Sequence, residues 1–159
     1  MRAWFAAGAA TALVGRRLVL ELLLRRFRAS LAALDAGDHR PLLASYRQDA
    51  VLHFADGNHR WAGDHEGREA IERFLRDFVA AGLHGEIGEA YFGGPPWRMT
   101  VLARFDDRAE DPDGTEIYRN RTVLLLRTKW GKVVEQEDYY EDTSRIERLD
   151  AHLRDRDRP

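Results

Sequence analysis

The hydrophobic residues of this chain change their period once, near Gly82, and that change limits the folds open to it. Upstream, Ile71, Phe74, Leu75, Phe78 and Val79 recur at i, i+3, i+4, i+7 and i+8, the spacing of one buried helix face. Downstream, four segments read at period two: "EIGEAYF", "WRMTVLARF", "EIYRNRTVLLLRT" and "KVVEQEDYY". The breaks between them, "GGPP", "DDRAEDPDG" and "KWG", are rich in residues that form turns. Helices followed by a meander of long antiparallel strands predict an α+β domain, its helices packed on one face of a curved sheet.

Two further helices precede the periodic one. Leu23, Phe27, Leu31 and Leu34 keep helical spacing among arginines, and "DAGD" ends that helix at Gly37. "HRPLLASYRQDA" predicts a short second helix with Pro41 in its first turn and Leu42, Leu43 and Tyr46 turned inward. "AVLHF" reads as a short strand and "ADGNHRWAGDHEG" as a loop. The charged tail "ERLDAHLRDRDRP" is expected to be solvated and frayed. The expected organisation is an N-terminal extension of the first helix over 1–18, one domain over 19–147 and the tail over 148–159.

Charge and composition narrow the function. At 159 residues the chain is long enough for one substantial core without disulfides, and it has no cysteine, so thiol catalysis and cysteine metal sites are excluded. A net charge of -2 provides no basic field for nucleic acid. The start "MRAWFAAGAATALVG" resembles a secretory signal, but Arg16 and Arg17 end the apolar run too early for a membrane span. A cytoplasmic location without membrane attachment is expected.

Three stretches in this order, "LAALDAGDHRPLLASYRQDAVLHF", "GREAIERFLRDF" and "DGTEIYRNRTVLLLRTKWGKVVEQEDYYED", resemble the nuclear transport factor 2-like superfamily, and within it the SnoaL-like proteins. The resemblance implies a cone: a strongly curved antiparallel sheet wrapped over three N-terminal helices, with a pocket between them, often in a homodimer. It does not give the reaction, because the same fold carries several chemistries. In limonene epoxide hydrolase-like members an arginine and an aspartate two residues apart work with a last-strand aspartate. Here Arg98 and Asp138 match, but Thr100 stands in place of the first aspartate, and Leu52 and Phe54 replace the residues that hold water. Ketosteroid isomerase-like members have their acid–base groups at positions matching Phe54, Ser30 and Thr122, so that chemistry is missing.

The resemblance turns Val134, Gln136, Asp138 and Tyr140 into the cone and leaves Glu135 and Glu137 outside. It adds Arg98, Thr100, Leu102 and Arg104 from one neighbouring strand and Asn120, Thr122, Leu124 and Leu126 from the other. In this reading Asp138 is the acid or base, poised by Arg98 or Arg104. Thr100, Arg104, Asn120, Thr122, Gln136, Tyr140 and Phe54 bind substrate, and Trp61 covers the mouth. The bland alternative is a structural ion pair within the cone. His53, His59 and His65 with Asp56, Asp64 and Glu66 could suggest a metal, but loop spacing gives them no common face. No metal and no cofactor are expected. Arg119, Arg121 and Arg127 with Glu135 and Glu137 predict charge pairing on an outer face that meets a second subunit. The expected protein binds a small hydrophobic oxygenated ligand and isomerises, cyclises or dehydrates it. The alternative is a non-catalytic binding or dimerisation module.

Overall fold

A computed structural model describes residues 21–158, so the expectations for the extension over 1–18 lie outside the described residues. Residues 21–35 are helical (α1). The chain continues through α2 (Arg40–Leu43), β1 (Tyr46–Phe54), β2 (Gly63–Glu66), α3 (Gly67–Ala80), β3 (Leu83–Gly93), β4 (Thr100–Glu110), β5 (Glu116–Lys129), β6 (Lys132–Tyr140) and α4 (Thr143–Arg156). The six strands form one sheet in the order β2-β1-β6-β5-β4-β3. All pairs are antiparallel except β1 with β6. This is the expected curved α+β architecture.

Curvature comes from local irregularity. The register shifts in the β1–β6, β3–β4, β4–β5 and β5–β6 pairs, and each such bulge bends the strands and increases their twist. The β5–β6 hairpin turns on Trp130 and Gly131, whose φ angles of 53° and 73° suit the tight turn that follows strand twist. On the concave side the Phe105 ring lies so close to Gly85 that a Cβ there would meet the ring at 2.0 Å. Ile71, Phe74, Leu75 and Phe78 bury the expected face of α3, and Gly82 (φ 67°) follows its last turn.

Three local expectations are corrected. The second helix is only one turn long, and Tyr46 opens a nine-residue β1. Within the expected loop, residues 63–66 pair with β1 as an added edge strand. The charged tail is not frayed. Asp142 caps α4 by accepting from the Ser144 backbone N–H at 2.9 Å, and Ile146, Leu149, Asp150 and Leu153 are buried at i, i+3, i+4 and i+7. The charge count had hidden that stripe.

Helix α4 also holds down residues 58–60. Glu147 accepts from the Asn58 backbone N–H at 3.0 Å, and the fully buried Asp150 pairs with Arg60 and Arg154, both at 2.5 Å. The helix is therefore part of the core. Leu149→Ala should cost about 2–4 kcal/mol, whereas the exposed change Asp155→Ala should stay within about 0.5 kcal/mol. Urea unfolding of the two variants measures both, and equal small effects would show a dispensable tail.

Candidate functional site

The inner face of β6 presents Gln136, Asp138 and Tyr140, as alternation predicts. One residue departs from that pattern: the shift between Arg127 and Thr128 changes the phase, and Val133 rather than Val134 is buried. From β1, the Tyr46 hydroxyl donates a short hydrogen bond to Gln136 Oε1. Gln136 Nε2 in turn donates to Asp138 Oδ1 at 2.8 Å. The row fixes the carboxyl at the wall of a cavity of about 50 Å³, lined also by Phe27, Phe74, Phe78 and Phe105. An adjoining apolar cavity of about 90 Å³ shares Phe27 and runs past Leu23, Phe92, Met99 and Val101.

Strand β4 faces the other way from the expectation. Val101, Ala103, Phe105, Asp107 and Ala109 point inward, while Thr100, Leu102 and Arg104 are exposed and Arg98 lies in the exposed turn before the strand. Arg104 pairs with Asp106 at 2.9 Å on the outer face, and Arg98 lines neither cavity. The expected ion pair between Asp138 and Arg98 or Arg104 is thus absent. No Lys, Arg or His among the described residues lines the Asp138 cavity.

Without a cation, burial dominates. It pushes the Asp138 carboxyl up to about 7, against the lowering effect of the Gln136 hydrogen bond and with a further push from Asp107. Asp107, which the sequence reading missed, is a second acid on the concave side. Burial pushes it up to about 6, although Tyr118 donates to it at 2.9 Å. Its Oδ1 is buried without a hydrogen-bond partner, and so is Thr122 Oγ1 on β5. The signal was available: apolar residues at the odd positions 101, 103, 105 and 109 put 107 on the same face.

The other expected residues divide. Thr122 and Asn120 are buried, but Asn120 donates to the Asp142 carbonyl at 2.7 Å and so ties β5 to the start of α4. Phe54 stands behind the cavity wall, its ring centroid 5.1 Å from Tyr140 and 5.2 Å from Phe74. Trp61 does not cover a mouth. It is almost fully buried beside Arg60 and lines neither cavity. The histidines scatter: His53 bonds Asp64 at 2.7 Å, His65 reaches the Trp61 carbonyl at 2.9 Å, and His59 packs against Phe54. Among the described residues no group of three or more His, Asp or Glu side chains is placed to hold a metal. On the outer face Arg127 pairs with Glu135 and Glu137, both at 2.6 Å.

Two carboxyls above their unfolded values make stability depend on pH. Unfolded aspartates ionise near 3.9, so the native state holds the extra protons, and the stability they contribute is full below about pH 4. It is lost as pH rises through about 6 for Asp107 and about 7 for Asp138. Urea unfolding should show stability falling between about pH 4 and pH 7 and levelling above that, with Asp138→Asn flattening the upper part of the fall and being the more stable protein at about pH 8. A wild-type profile flat across that range would show Asp138 to be ionised and paired.

Comparison with known proteins agrees with this architecture. The SnoaL-like domain family profile matches residues 27–136. Bal32a from a soil-derived mobile gene cassette shares 23% identity at a TM-score of 0.64, covering 81% of this chain and 97% of its own. TerC, co-crystallized with polyporic acid, shares 19% at 0.63, covering 80% and 97%. SalBIII, an epoxide hydrolase/cyclase-like enzyme with a role in pyran ring formation in polyether salinomycin, shares 16% at 0.63, covering 77% and 93%. No functionally curated protein matches the sequence. With more than half its length matched, and with a fold like that of a solved nuclear transport factor 2-like protein, the chain belongs to the SnoaL-like domain family.

Proposed function

We propose that the protein is a small-molecule pocket enzyme that uses Asp138 for cofactor-free acid–base chemistry on a hydrophobic, oxygenated compound, by isomerisation, cyclisation or dehydration. The observation that carries this reading is an aspartate on the wall of a largely apolar cavity that no Lys, Arg or His among the described residues lines, where burial pushes the carboxyl up to about 7. A group that titrates near neutrality can both give and take a proton at the working pH. Gln136 holds one carboxyl oxygen and leaves the other for the ligand. Tyr140 lines the same cavity, and burial keeps its hydroxyl protonated. The neutral phenol is then a donor to a ligand oxygen. Arg98, Thr100 and Arg104 have no part in this scheme.

Asp107 favours epoxide opening or ring closure as a second reading. Two acids with different values, about 6 and about 7, allow the proton donor and the proton acceptor to be separate groups. The SalBIII likeness is compatible with it. A purely structural module would fill its cone with its own side chains; here a cavity reaches Asp138.

An unbiased ligand screen followed by turnover assays tests the proposal. Asp138→Asn should lower turnover about 10²–10⁴-fold while ligand still binds. Glu137→Gln, on the opposite face, should leave turnover unchanged. Equal activity in both variants would remove Asp138 from the chemistry.

We also propose a cytoplasmic homodimer. Among the described residues no helix is long and apolar enough to cross a membrane. The outer sheet face sets Val123 beside Tyr139 and Leu102 beside Leu125, between its ion pairs. Leu102, Val123 and Tyr139 are 43%, 41% and 55% exposed, which suits an isologous contact. Light scattering at micromolar concentration should report a dimer, and Val123→Arg a monomer. A wild-type monomer at high concentration would overturn this.

A further inference from the structure

Asp138 is the one charged side chain among the described residues that lines the inner cavity. Asp107 shares the inward face of β4 but borders a separate polar cleft with Arg104, Arg108, Arg119, Arg121 and Arg145. Among the described residues the one cation that lines either chamber is Arg26 on α1, an exposed residue that borders only the outer one. The remaining titratable groups facing Asp138 are Tyr46 from β1 and Tyr140 from β6, with Tyr118 of β5 behind Asp107. Helix α3 contributes Phe74, Leu75 and Phe78 and no charge. Two buried acceptors on this side, Asp107 Oδ1 and Thr122 Oγ1, have no hydrogen-bond partner.

An acid in such a chamber has two ways to avoid an isolated buried charge: it keeps its proton, or its ligand supplies the counter-ion. The walls suit the second as well as the first. Phe27, Phe74, Phe78, Phe105, Tyr46 and Tyr140 present aromatic surface around the carboxyl, and aromatic faces attract a desolvated cation. A carboxylate or phosphate ligand would meet only like charge. We infer that the site selects its ligand by charge and takes a lipophilic ammonium compound, the N–H groups donating to the Asp138 oxygen that Gln136 leaves free and the hydrocarbon lying against the rings and the outer apolar chamber. The inference rests only on the part of the proposed function that reads the cavity as a ligand site, not on proton transfer by Asp138, and adds the ligand's charge class.

Three probes of one shape test it: cyclohexylmethylamine, cyclohexylmethanol and cyclohexanecarboxylate, titrated by calorimetry at about pH 6 and about pH 8. The amine stays protonated at both. Asp138 passes through its value of about 7 between them, so ammonium affinity should rise about tenfold toward the higher pH while the alcohol changes little. At the higher pH the ammonium should bind at least tenfold tighter than the alcohol, and the carboxylate should not bind. Asp138→Asn should remove both the advantage and the pH dependence and still bind the alcohol. Glu137→Gln, on the outer face, should leave the ammonium preference in place. Equal binding of amine and alcohol overturns the charge inference and leaves the pocket standing. Binding of the carboxylate alone overturns it by revealing a cation in the chamber. Failure of all three probes overturns the pocket reading as well.

Discussion

The parallel pairing of β1 with β6 is the contact on which the rest of the molecule depends. β1 follows directly on the two helices that begin the described chain and β6 is the last strand, so their pairing joins the helical half to the meander. It sets Leu52 beside Gln136 and His53 beside Glu137. The Tyr46 hydroxyl reaches Gln136 across the same junction, and Gln136 then holds Asp138. The candidate acid is therefore oriented by a side chain more than eighty residues away in sequence (|i−j| = 90 for Tyr46 and Gln136). A carboxyl positioned by a regular strand and a buried amide loses little precision to loop motion.

That position carries a cost in stability. Two acids raised to about 6 and about 7 mean that the folded state resists ionisation which the unfolded chain accepts freely. Replacing either by a neutral residue of similar shape relieves the cost, so selection for stability alone would not keep both. Buried groups of perturbed ionisation concentrate at functional sites for this reason. Tyr118 and Gln136 moderate the cost without removing it, because a neutral hydrogen bond offsets only part of the desolvation of a carboxylate.

Much of this was legible in the sequence, and each error has its own physical cause. The architecture followed from the change of period, and the inner face of β6 followed from alternation. Helix α4 was hidden because net polarity outweighed a stripe of four residues, Ile146, Leu149, Asp150 and Leu153, one of them an aspartate whose burial depends on Arg60 and Arg154. β2 is too short to show a period and exists because β1 offers it an edge. The face of β4 was misassigned because a family match at Arg98 was given more weight than the strand's own alternation, and Asp107 was lost with it. Val134 was misplaced because a bulge shifts the phase, and single-sequence patterns do not show where bulges fall.

Alternation also sorts the charge of the molecule. Asp106 and Asp107 are neighbours in the chain and face opposite ways. Partial burial pushes the Asp106 carboxyl up, but hydrogen bonds from Arg104 and Arg121 hold it below the usual range. Asp107, one residue on, has no such partner and rises. Glu137 and Asp138 repeat the contrast: Tyr139 and Arg127 hold Glu137 down, and burial raises Asp138. The arginines of β4 and β5, Arg104, Arg108, Arg119, Arg121 and Arg127, all stand on the convex side with carboxylates beside them. Only acids are left on the concave side of these strands. The interior field is thus set by which parity carries the basic residues, and moving one arginine by a single position in β4 or β5 would neutralise Asp138 or Asp107 and convert a proton-exchanging chamber into the structural ion pair of the alternative reading.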